Sequence, residues 1–386
     1  MKTKHIAFVN LPRPSHINPT LPIVATLVRR GHRVTYATSE QFAARITRAG
    51  AQHVLIPSMD IARQRDDLAC HTATETVKAV TAFYETDRPD LIIYDLIAMA
   101  GRVLAHQWNL PAIKISPDFS YSEEAFSSQV RQEKVREWGF ELSRKADHFL
   151  KRYGILSCGY MFHREKLNIH LCPREFDPNG HVADESCLYA GRCPGEQFHV
   201  GDWRNDFGDD RPIAAVVPST FSRDEHYFNL CVEALSELPW NFVIFLPPDI
   251  TLTSPLLLPD NFRAVRESSP SKTLSNATML VCMGGAMTVA EGIYHGLPLL
   301  MTSCGAPFLE ALCDIWVELG LGRHLKHTEM KAESLRGAFI EVIESAEIRA
   351  KVRRMQRIVQ CAPGAEEAAD GIEEFIERHC IGVGNG

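Results

Sequence analysis

Two polar residues in the first quarter of the chain follow predicted strands, and their side chains suit proton transfer. His16 lies in the segment Leu11–Pro19, between an apolar run at Ile6–Leu11 and the first predicted helix. With an unperturbed pKa of about 6.5, an imidazole at this position can act as a general base near neutral pH. A histidine that caps the helix or lies in a loop is the alternative interpretation.

Asp95 is the second of these residues and ends the apolar run Leu91–Asp95, which predicts a buried strand. The carboxyl ends of parallel strands meet at one edge of a sheet, so we expect this carboxylate at the same edge as His16. It could accept a hydrogen bond from one imidazole nitrogen, fix the tautomer and stabilise the imidazolium. Capping of the following helix is the alternative.

The elements that position both residues alternate along the chain between short apolar runs and segments of helical periodicity. Near-continuous apolar strands separated by helices are typical of parallel sheets covered on both faces. We therefore predict an α/β fold of two doubly wound, Rossmann-like domains that face each other across a cleft. The predicted strands are Ile6–Leu11, Val34–Ala37, Val54–Ile56, Leu91–Tyr94, Ala112–Ile115, Ile213–Val217, Phe242–Leu246, Met279–Cys282 and Leu299–Met301.

Changes in composition divide the chain further. We predict an N-terminal domain at 1–195 with a helical insert at 118–165, a linker at 196–211, and a C-terminal domain at 212–362. A last helix at 363–386 is expected to pack back on the N-terminal domain. The insert is rich in aromatic rings, which either line a pocket for a bulky apolar compound or form the packing core of the helices.

Composition and charge exclude several classes of protein. The 386 residues carry 41 Lys and Arg against 48 Asp and Glu, a net charge of −7, which argues against nucleic-acid binding. No stretch reaches the roughly 18 apolar residues of a membrane span. The 11 cysteines are scattered without a Cys-x-x-Cys pair, so we expect neither a zinc site nor a disulfide framework. A cytoplasmic protein is the expectation.

Several short motifs together resemble those of one enzyme family. The chain resembles the inverting, two-Rossmann-domain (GT-B type) nucleotide-sugar glycosyltransferases, especially the branch that acts on macrolides and other secondary metabolites in antibiotic biosynthesis. The resemblance covers nearly the whole chain. The matching stretches are His16–Pro19, Arg30–Ala37, Asp90–Asp95, Leu110–Ile113, Ser116–Pro117, Ala290–Gly292 and Gly296–Pro298.

The resemblance implies roles for both polar residues. His16 would deprotonate an acceptor hydroxyl and Asp95 would hold His16, while a nucleoside diphosphate leaves from the donor sugar. The N-terminal domain would bind the hydrophobic acceptor and the C-terminal domain the donor, such as a UDP-sugar. No metal and no cofactor beyond this co-substrate is implied, and we expect a monomer or homodimer without nucleic-acid or membrane partners.

The donor half departs from the family pattern. The resemblance assigns Glu291 to the ribose hydroxyls and a diphosphate-binding histidine to the position eight residues earlier, which is Met283. A thioether cannot donate a hydrogen bond. Gly284 and Gly285 remain, and their backbone amides at the start of a helix could still bind an anion. A tight strand-to-helix turn explains the two glycines equally well.

Other donor positions also differ. The sugar-binding pair of acidic residue and glutamine falls on Pro307 and Phe308, an apolar wall that would suit a deoxysugar, and the first donor loop reads Pro218–Ser219. We take Ser219, Thr220, Gly284, Gly285 and Glu291 as the candidate donor-binding residues. Further candidates for replacing the lost contacts are Ser268, Ser269, Lys272 and Thr288.

Three functions therefore remain open from the sequence. The first is a glycosyltransferase with an unusual donor. The second is an enzyme of the same fold that has lost donor use and runs His/Asp acid–base chemistry, such as elimination, cyclisation or hydrolysis, on a bulky metabolite. The third is a non-catalytic auxiliary protein.

Overall fold

Two compact units make up the chain in a computed structural model. It describes residues 2–57, 68–117, 133–157, 159–177, 180–193, 205–218, 225–246, 258–266, 271–303 and 305–379. The first unit comprises Met1–Phe198 together with Ala362–Gly386, and the second comprises His199–Cys361.

A parallel sheet forms the centre of the first unit. Its strands lie in the order β3-β2-β1-β4-β5-β6-β7, and each described pairing is parallel. The strands are β1 His5–Val9, β2 Arg33–Thr38, β3 Gln52–Leu55, β4 Leu91–Asp95, β5 Ala112–Ser116, β6 Asn168–His170 and β7 Cys187–Tyr189.

The second unit repeats this plan. Its parallel sheet has the order β10-β9-β8-β11-β12-β13, which is the Rossmann order 3-2-1-4-5-6. The strands are β8 Ile213–Val217, β9 Asn241–Phe245, β10 Phe262–Val265, β11 Met279–Cys282, β12 Leu299–Thr302 and β13 Gly322–Leu325.

Helices connect the strands in both units. Those of the first unit are α1 Pro14–Ile17, α2 Leu21–Arg29, α3 Ala43–Arg48, α4 Leu68–Phe83, α5 Met99–Trp108, α6 Glu133–Lys151 and, at the end of the chain, α13 Ala365–His379. Those of the second unit are α7 Glu225–Leu235, α8 Ser271–Leu274, α9 Ala286–Tyr294, α10 Pro307–Glu318, α11 Ala332–Glu344 and α12 Ala346–Cys361.

Both faces of the first sheet are covered, which explains why its strands are apolar throughout. Ile6 and Phe8 of β1 belong to the core on one face, whereas Ala7 and Val9 belong to the core on the other. Successive side chains of a strand point to opposite faces, so a strand with helices on both sides needs an apolar residue at every position.

The strand order defines where each sheet can bind a ligand. In a doubly wound sheet, ligands bind beyond the carboxyl ends of the strands at the point where the strand order reverses. In the first unit this point lies between β1 and β4, and in the second between β8 and β11. A ligand-binding site is therefore expected in the loops that follow β1, β4, β8 and β11.

The last helix, α13, packs on the first unit. Its buried face, formed by Ala368, Ala369, Ile372, Phe375 and Ile376, joins the core that also contains α2. Arg30, at the end of α2, makes ion pairs of 2.6 Å with Glu366, Asp370 and Glu373 on the exposed side of α13.

Four aromatic rings of the predicted insert belong to a core of the first unit or pack against it. Phe149 and Tyr160 are buried in the core beneath the sheet, and Tyr153 and Phe162 pack against that core. The core interpretation is thus confirmed for these four rings. Phe119, Tyr121 and Phe126 lie outside the described residues.

The structure also contains strands that the sequence did not predict. These are β6, β7, β10 and β13, each of only three or four residues. β13 carries the polar residues Arg323 and His324, so its hydrophobic run is too short to stand out from the helices on either side.

Among the described residues, no helix combines the length and the apolar character that crossing a bilayer requires.

Burial of α13 should contribute more to stability than its ion pairs. Replacing Ile372, which is fully buried, by alanine should cost about 2–4 kcal/mol through the lost apolar contacts and the cavity. Arg30→Met should cost at most about 1 kcal/mol, because its carboxylate partners are partly exposed. Thermal unfolding midpoints and amide exchange in 365–379 measure both effects, and a larger loss in Arg30→Met than in Ile372→Ala would contradict this ranking.

Candidate active site

The loop after β1 places His16 at the edge of the first sheet. Arg13 has an extended backbone and its carbonyl accepts hydrogen bonds from the amides of His16 and Ile17, at 3.0 and 2.9 Å, so that Pro14–Ile17 forms one short helix. Pro14 suits the first helical position because it has no amide hydrogen to leave unpaired. The buried Asn10 side chain donates to the His16 carbonyl at 3.3 Å, which ties this helix to the end of β1.

Asp95 meets the ring of His16 at this edge. The His16 Nδ1–Asp95 Oδ2 distance is 2.6 Å, and the Asp95 side chain is only 1% exposed. The other carboxylate oxygen, Oδ1, accepts the Ile97 amide hydrogen at 2.9 Å. The carboxylate is therefore held in place by one charge-assisted bond to the ring and one to the backbone.

This geometry fixes the histidine tautomer. An ionised carboxylate can only accept hydrogen bonds, so Nδ1 must carry the hydrogen that His16 donates to Asp95. Nε2 is then the nitrogen that can take up a proton, and the buried negative charge stabilises the imidazolium that results. The pair fits the general-base role that the resemblance implies.

Burial shifts the pKa values of several ionisable side chains in the first unit. Desolvation raises the pKa of Tyr160, and the negative charge of Asp95 raises it further, so this phenol stays neutral. Burial also lowers the pKa of Lys114 on β5 to about 8 and that of Arg13 to about 10. Asp95 thus lies in surroundings where water is largely excluded.

The turn after β11 is the corresponding feature of the second unit. Gly284 has a positive φ of 80°, and a Cβ built on it would lie 2.2 Å from the Sγ of Cys313. Gly285 is the N-cap of α9, and a Cβ on it would meet nothing within 4 Å. The first residue must therefore be glycine for packing, whereas the second leaves open space in front of a helix N-terminus, where an anion can approach the backbone amides.

Glu291 lies two turns further along α9 and is oriented by two side chains. Its Oε1 accepts a hydrogen bond from the Ser271 hydroxyl at 2.6 Å and lies 3.6 Å from Nε2 of His295. The carboxylate is mostly buried, with 17% of the side chain exposed. A carboxylate held in this way can accept hydrogen bonds from paired hydroxyls, as the ribose role requires.

The remaining donor candidates are only partly described. Met283 is 2% exposed, so its side chain is part of the buried interior of the second unit. Thr288 is half-buried in the first turn of α9, and Lys272 is exposed. Ser219 and Thr220, with Ser268, Ser269 and the side chains of Pro307 and Phe308, lie outside the described residues.

A metal site was not expected from the sequence. Within the described part of the chain, no group of three or more His, Cys, Asp or Glu side chains has an arrangement that could hold a metal ion.

Comparison with known proteins identifies the family. NDP-glycosyltransferase YjiC of Bacillus subtilis (strain 168) is 30% identical over 99% of this chain and 100% of its own length. Demethyllactenocin mycarosyltransferase of Streptomyces fradiae is 31% identical over 96% of this chain and 86% of its own length. The chain belongs to the NDP-glycosyltransferases.

The solved structures agree with this assignment. The crystal structure of the kitacinnamycin glycotransferase matches this glycosyltransferase with a TM-score of 0.80 and 28% identity, over 97% of this chain and 99% of the other. No protein-family model matches the chain. The predicted GT-B fold class and the predicted family are both confirmed.

Sequence reasoning missed the partner of Glu291 in this glycosyltransferase. Ser271 lies between the predicted candidates Ser269 and Lys272, but no role was predicted for Ser271 itself. The two residues are 20 positions apart, and only the packing of α8 against α9 brings them together. No spacing in the sequence signals such a contact.

Substitution of the two glycines should show that packing requires a glycine at position 284 but not at position 285. Gly284→Ala should destabilise the protein by about 2–4 kcal/mol, since the new methyl group overlaps Cys313 and the backbone has a positive φ. Gly285→Ala should change stability by less than about 1 kcal/mol, because its φ is −61° and the space around it is open. Thermal unfolding of the two variants checks this, and equal losses would contradict it.

Proposed function

We propose that this glycosyltransferase transfers a sugar from a nucleoside diphosphate donor to a hydroxyl group of a hydrophobic natural product, with inversion at the anomeric carbon. His16 is the general base, the first unit binds the acceptor and the second unit binds the donor. The 2.6 Å hydrogen bond between His16 Nδ1 and the buried Asp95 carboxylate is the observation that carries the proposal.

The transfer divides into one proton transfer and one substitution. Nε2 of His16 takes the proton of the acceptor hydroxyl while its oxygen bonds to the anomeric carbon of the donor. The bond from that carbon to the β-phosphate oxygen breaks on the opposite face, and the nucleoside diphosphate leaves with the bonding electrons. Asp95 stays ionised and stabilises the imidazolium. General-base assistance of this kind contributes about 10²–10⁴-fold to the rate.

The donor is recognised by fewer side chains than the family pattern implies. Gly285 offers open space and backbone amides to the diphosphate, and Glu291 offers a carboxylate to the ribose hydroxyls. Met283 is buried and contributes no hydrogen bond. A lost hydrogen bond costs about 1–3 kcal/mol, so other polar groups of the second unit must contribute to donor binding.

The acceptor class rests on the relatives. Demethyllactenocin mycarosyltransferase and oleandomycin glycosyltransferase are named after the compounds demethyllactenocin and oleandomycin, and both match this chain over at least 96% of its length. The described rings of the insert pack as core and give no independent support for a hydrophobic acceptor pocket.

Loss of either member of the pair should abolish turnover without affecting donor binding. His16→Ala removes the base, and Asp95→Asn removes the negative charge and favours the wrong tautomer, so each should lower kcat by about 10²–10⁴-fold. Nucleoside diphosphate release, measured with panels of nucleotide sugars and hydrophobic alcohols, gives the rates. Calorimetric titration with uridine and thymidine diphosphates should give unchanged Kd values.

His106→Ala serves as the matched control, because His106 is an exposed histidine on α5 of the same unit. Turnover of the acceptor in the absence of any donor would instead indicate an acid–base enzyme. A His16→Ala variant as active as the control would remove the proposed base, and retention of the anomeric configuration in the product would remove the inverting mechanism.

A further inference from the structure

Four polar side chains form a continuous chain at the carboxyl edge of the second sheet, and the reaction above does not use them. Ser303 directly follows β12, His324 lies on β13, and Asp314 and Glu310 lie on α10. His324 Nδ1 is 3.0 Å from Asp314 Oδ1, its Nε2 is 2.9 Å from the Ser303 hydroxyl, and that hydroxyl is 3.2 Å from Glu310 Oε1. We call these four residues the Ser303 relay.

The two inner members of the Ser303 relay are buried. The Ser303 residue is 2% exposed and the His324 side chain 4% exposed, whereas Asp314 is 46% exposed. Buried polar groups need a fixed partner for each hydrogen. Burial therefore fixes the positions of the serine oxygen and the imidazole ring, and Asp314 binds the ring from the more exposed side.

A count of the available hydrogens shows that the Glu310 carboxylate can accept further hydrogen bonds. The single hydrogen of the Ser303 hydroxyl can be donated either to His324 Nε2 or to Glu310 Oε1, but not to both. When the ring is neutral and donates from Nδ1 to Asp314, Nε2 takes the serine hydrogen and Glu310 Oε1 is left without a donor. Among the described residues, no hydrogen-bond donor reaches Oε2 of Glu310 in either case. A carboxylate in this position requires donors from solvent or from a ligand.

The Ser303 relay lies beside the turn proposed to bind the diphosphate. The indole nitrogen of Trp316 on α10 donates to the Gly284 carbonyl at 2.9 Å, so α10 packs directly on that turn. The Leu309 carbonyl is 3.7 Å from the position that a Cβ on Gly284 would occupy. Glu310 is the next residue of α10, so it lies on the part of this helix that packs on the turn.

We propose that Glu310 binds hydroxyl groups of the donor sugar, with Ser303, His324 and Asp314 as positioning residues. This inference rests on the proposed function, because a sugar attached to a diphosphate is the group that would lie at this edge. It moves sugar recognition from Pro307 and Phe308, where the family register puts it, to a different set of side chains.

The proposal specifies the class of donor. A site built to hydrogen-bond a hydroxyl rejects the analogue that lacks it, because the polar groups of the site are then left unpaired. Glu310 has two oxygens to satisfy, so the preferred donor carries hydroxyl groups on the sugar. A dideoxysugar, which the apolar residues at 307 and 308 alone would suit, is disfavoured.

A donor panel with matched deoxy analogues tests this directly. Uridine and thymidine diphosphate hexoses are compared with their 2-deoxy and 4-deoxy counterparts for kcat/KM, using wild type, Glu310→Ala and Ser303→Ala. Wild type should prefer one hydroxylated donor over its deoxy analogue by at least about 100-fold. In Glu310→Ala that preference should fall at least about tenfold, with the loss appearing in the KM for the donor.

Binding of the nucleoside diphosphate alone separates sugar recognition from a structural role. Kd values for uridine and thymidine diphosphate should change less than twofold in both variants, and Glu318→Ala, at the exposed far end of α10, is the matched control. His324→Gln, which can still donate to Asp314, should retain more of the preference than His324→Phe.

Equal wild-type activity with hydroxylated and deoxy donors would overturn the proposal, as would an unchanged preference in Glu310→Ala. Equal weakening of the nucleoside diphosphates and the sugar donors would also overturn it, since the Ser303 relay would then only support the fold. If no donor in the panel is turned over by wild type, the proposed function itself fails.

Discussion

The chemistry that we propose for this protein depends on one short hydrogen bond, between His16 Nδ1 and the Asp95 carboxylate. The strand order of the first sheet brings the two residues together, because β1 and β4 are neighbours at the point where that order reverses. The loop after β1, which carries His16, and Asp95, the last residue of β4, therefore meet at the carboxyl edge of the sheet. The Asp95 side chain is only 1% exposed, which strengthens the electrostatic attraction to the ring because little water competes for the carboxylate charge.

The second unit has the same topology, and we propose that it binds the donor. Its sheet also reverses between two neighbouring strands, β8 and β11, and the turn after β11 carries a glycine that packing requires and a glycine that leaves a helix N-terminus open. Backbone amides make such a turn able to bind an anion whatever the neighbouring side chains are. A buried methionine at position 283, where the family pattern has a histidine, is therefore compatible with the proposed nucleotide binding. Glu291, which accepts a hydrogen bond from Ser271, is the carboxylate proposed for the ribose hydroxyls.

Much of this could be predicted from the sequence, for a physical reason. Strands covered on both faces are apolar throughout, so strands such as Met279–Cys282 and Ile213–Val217 were predicted with the bounds that the structure has. Parallel strands bring their carboxyl ends together, so the predicted sheet put His16 and Asp95 at one edge, and the family resemblance predicted that they pair. Short polar strands gave no such signal, and β13, with Arg323 and His324 at its centre, was missed.

Contacts set by packing between distant elements were beyond sequence reasoning. The Ser271–Glu291 bond and the Ser303 relay join residues 7 to 21 positions apart on different elements, without any periodicity that marks them. The aromatic insert is a related case. Composition alone does not distinguish rings that line a pocket from rings that fill a core, and only the burial of Phe149 and Tyr160 assigns these two to the core.

The tautomer of His16 is the most direct test of the central interaction. A proton–nitrogen correlation spectrum of the imidazole rings, recorded at a pH where the ring is neutral, distinguishes a hydrogen on Nδ1 from one on Nε2. His16 should be a single Nδ1–H tautomer in the wild type and should lose that preference in Asp95→Asn. An Nε2–H tautomer in the wild type, or a spectrum unchanged by Asp95→Asn, would contradict the role assigned to the pair.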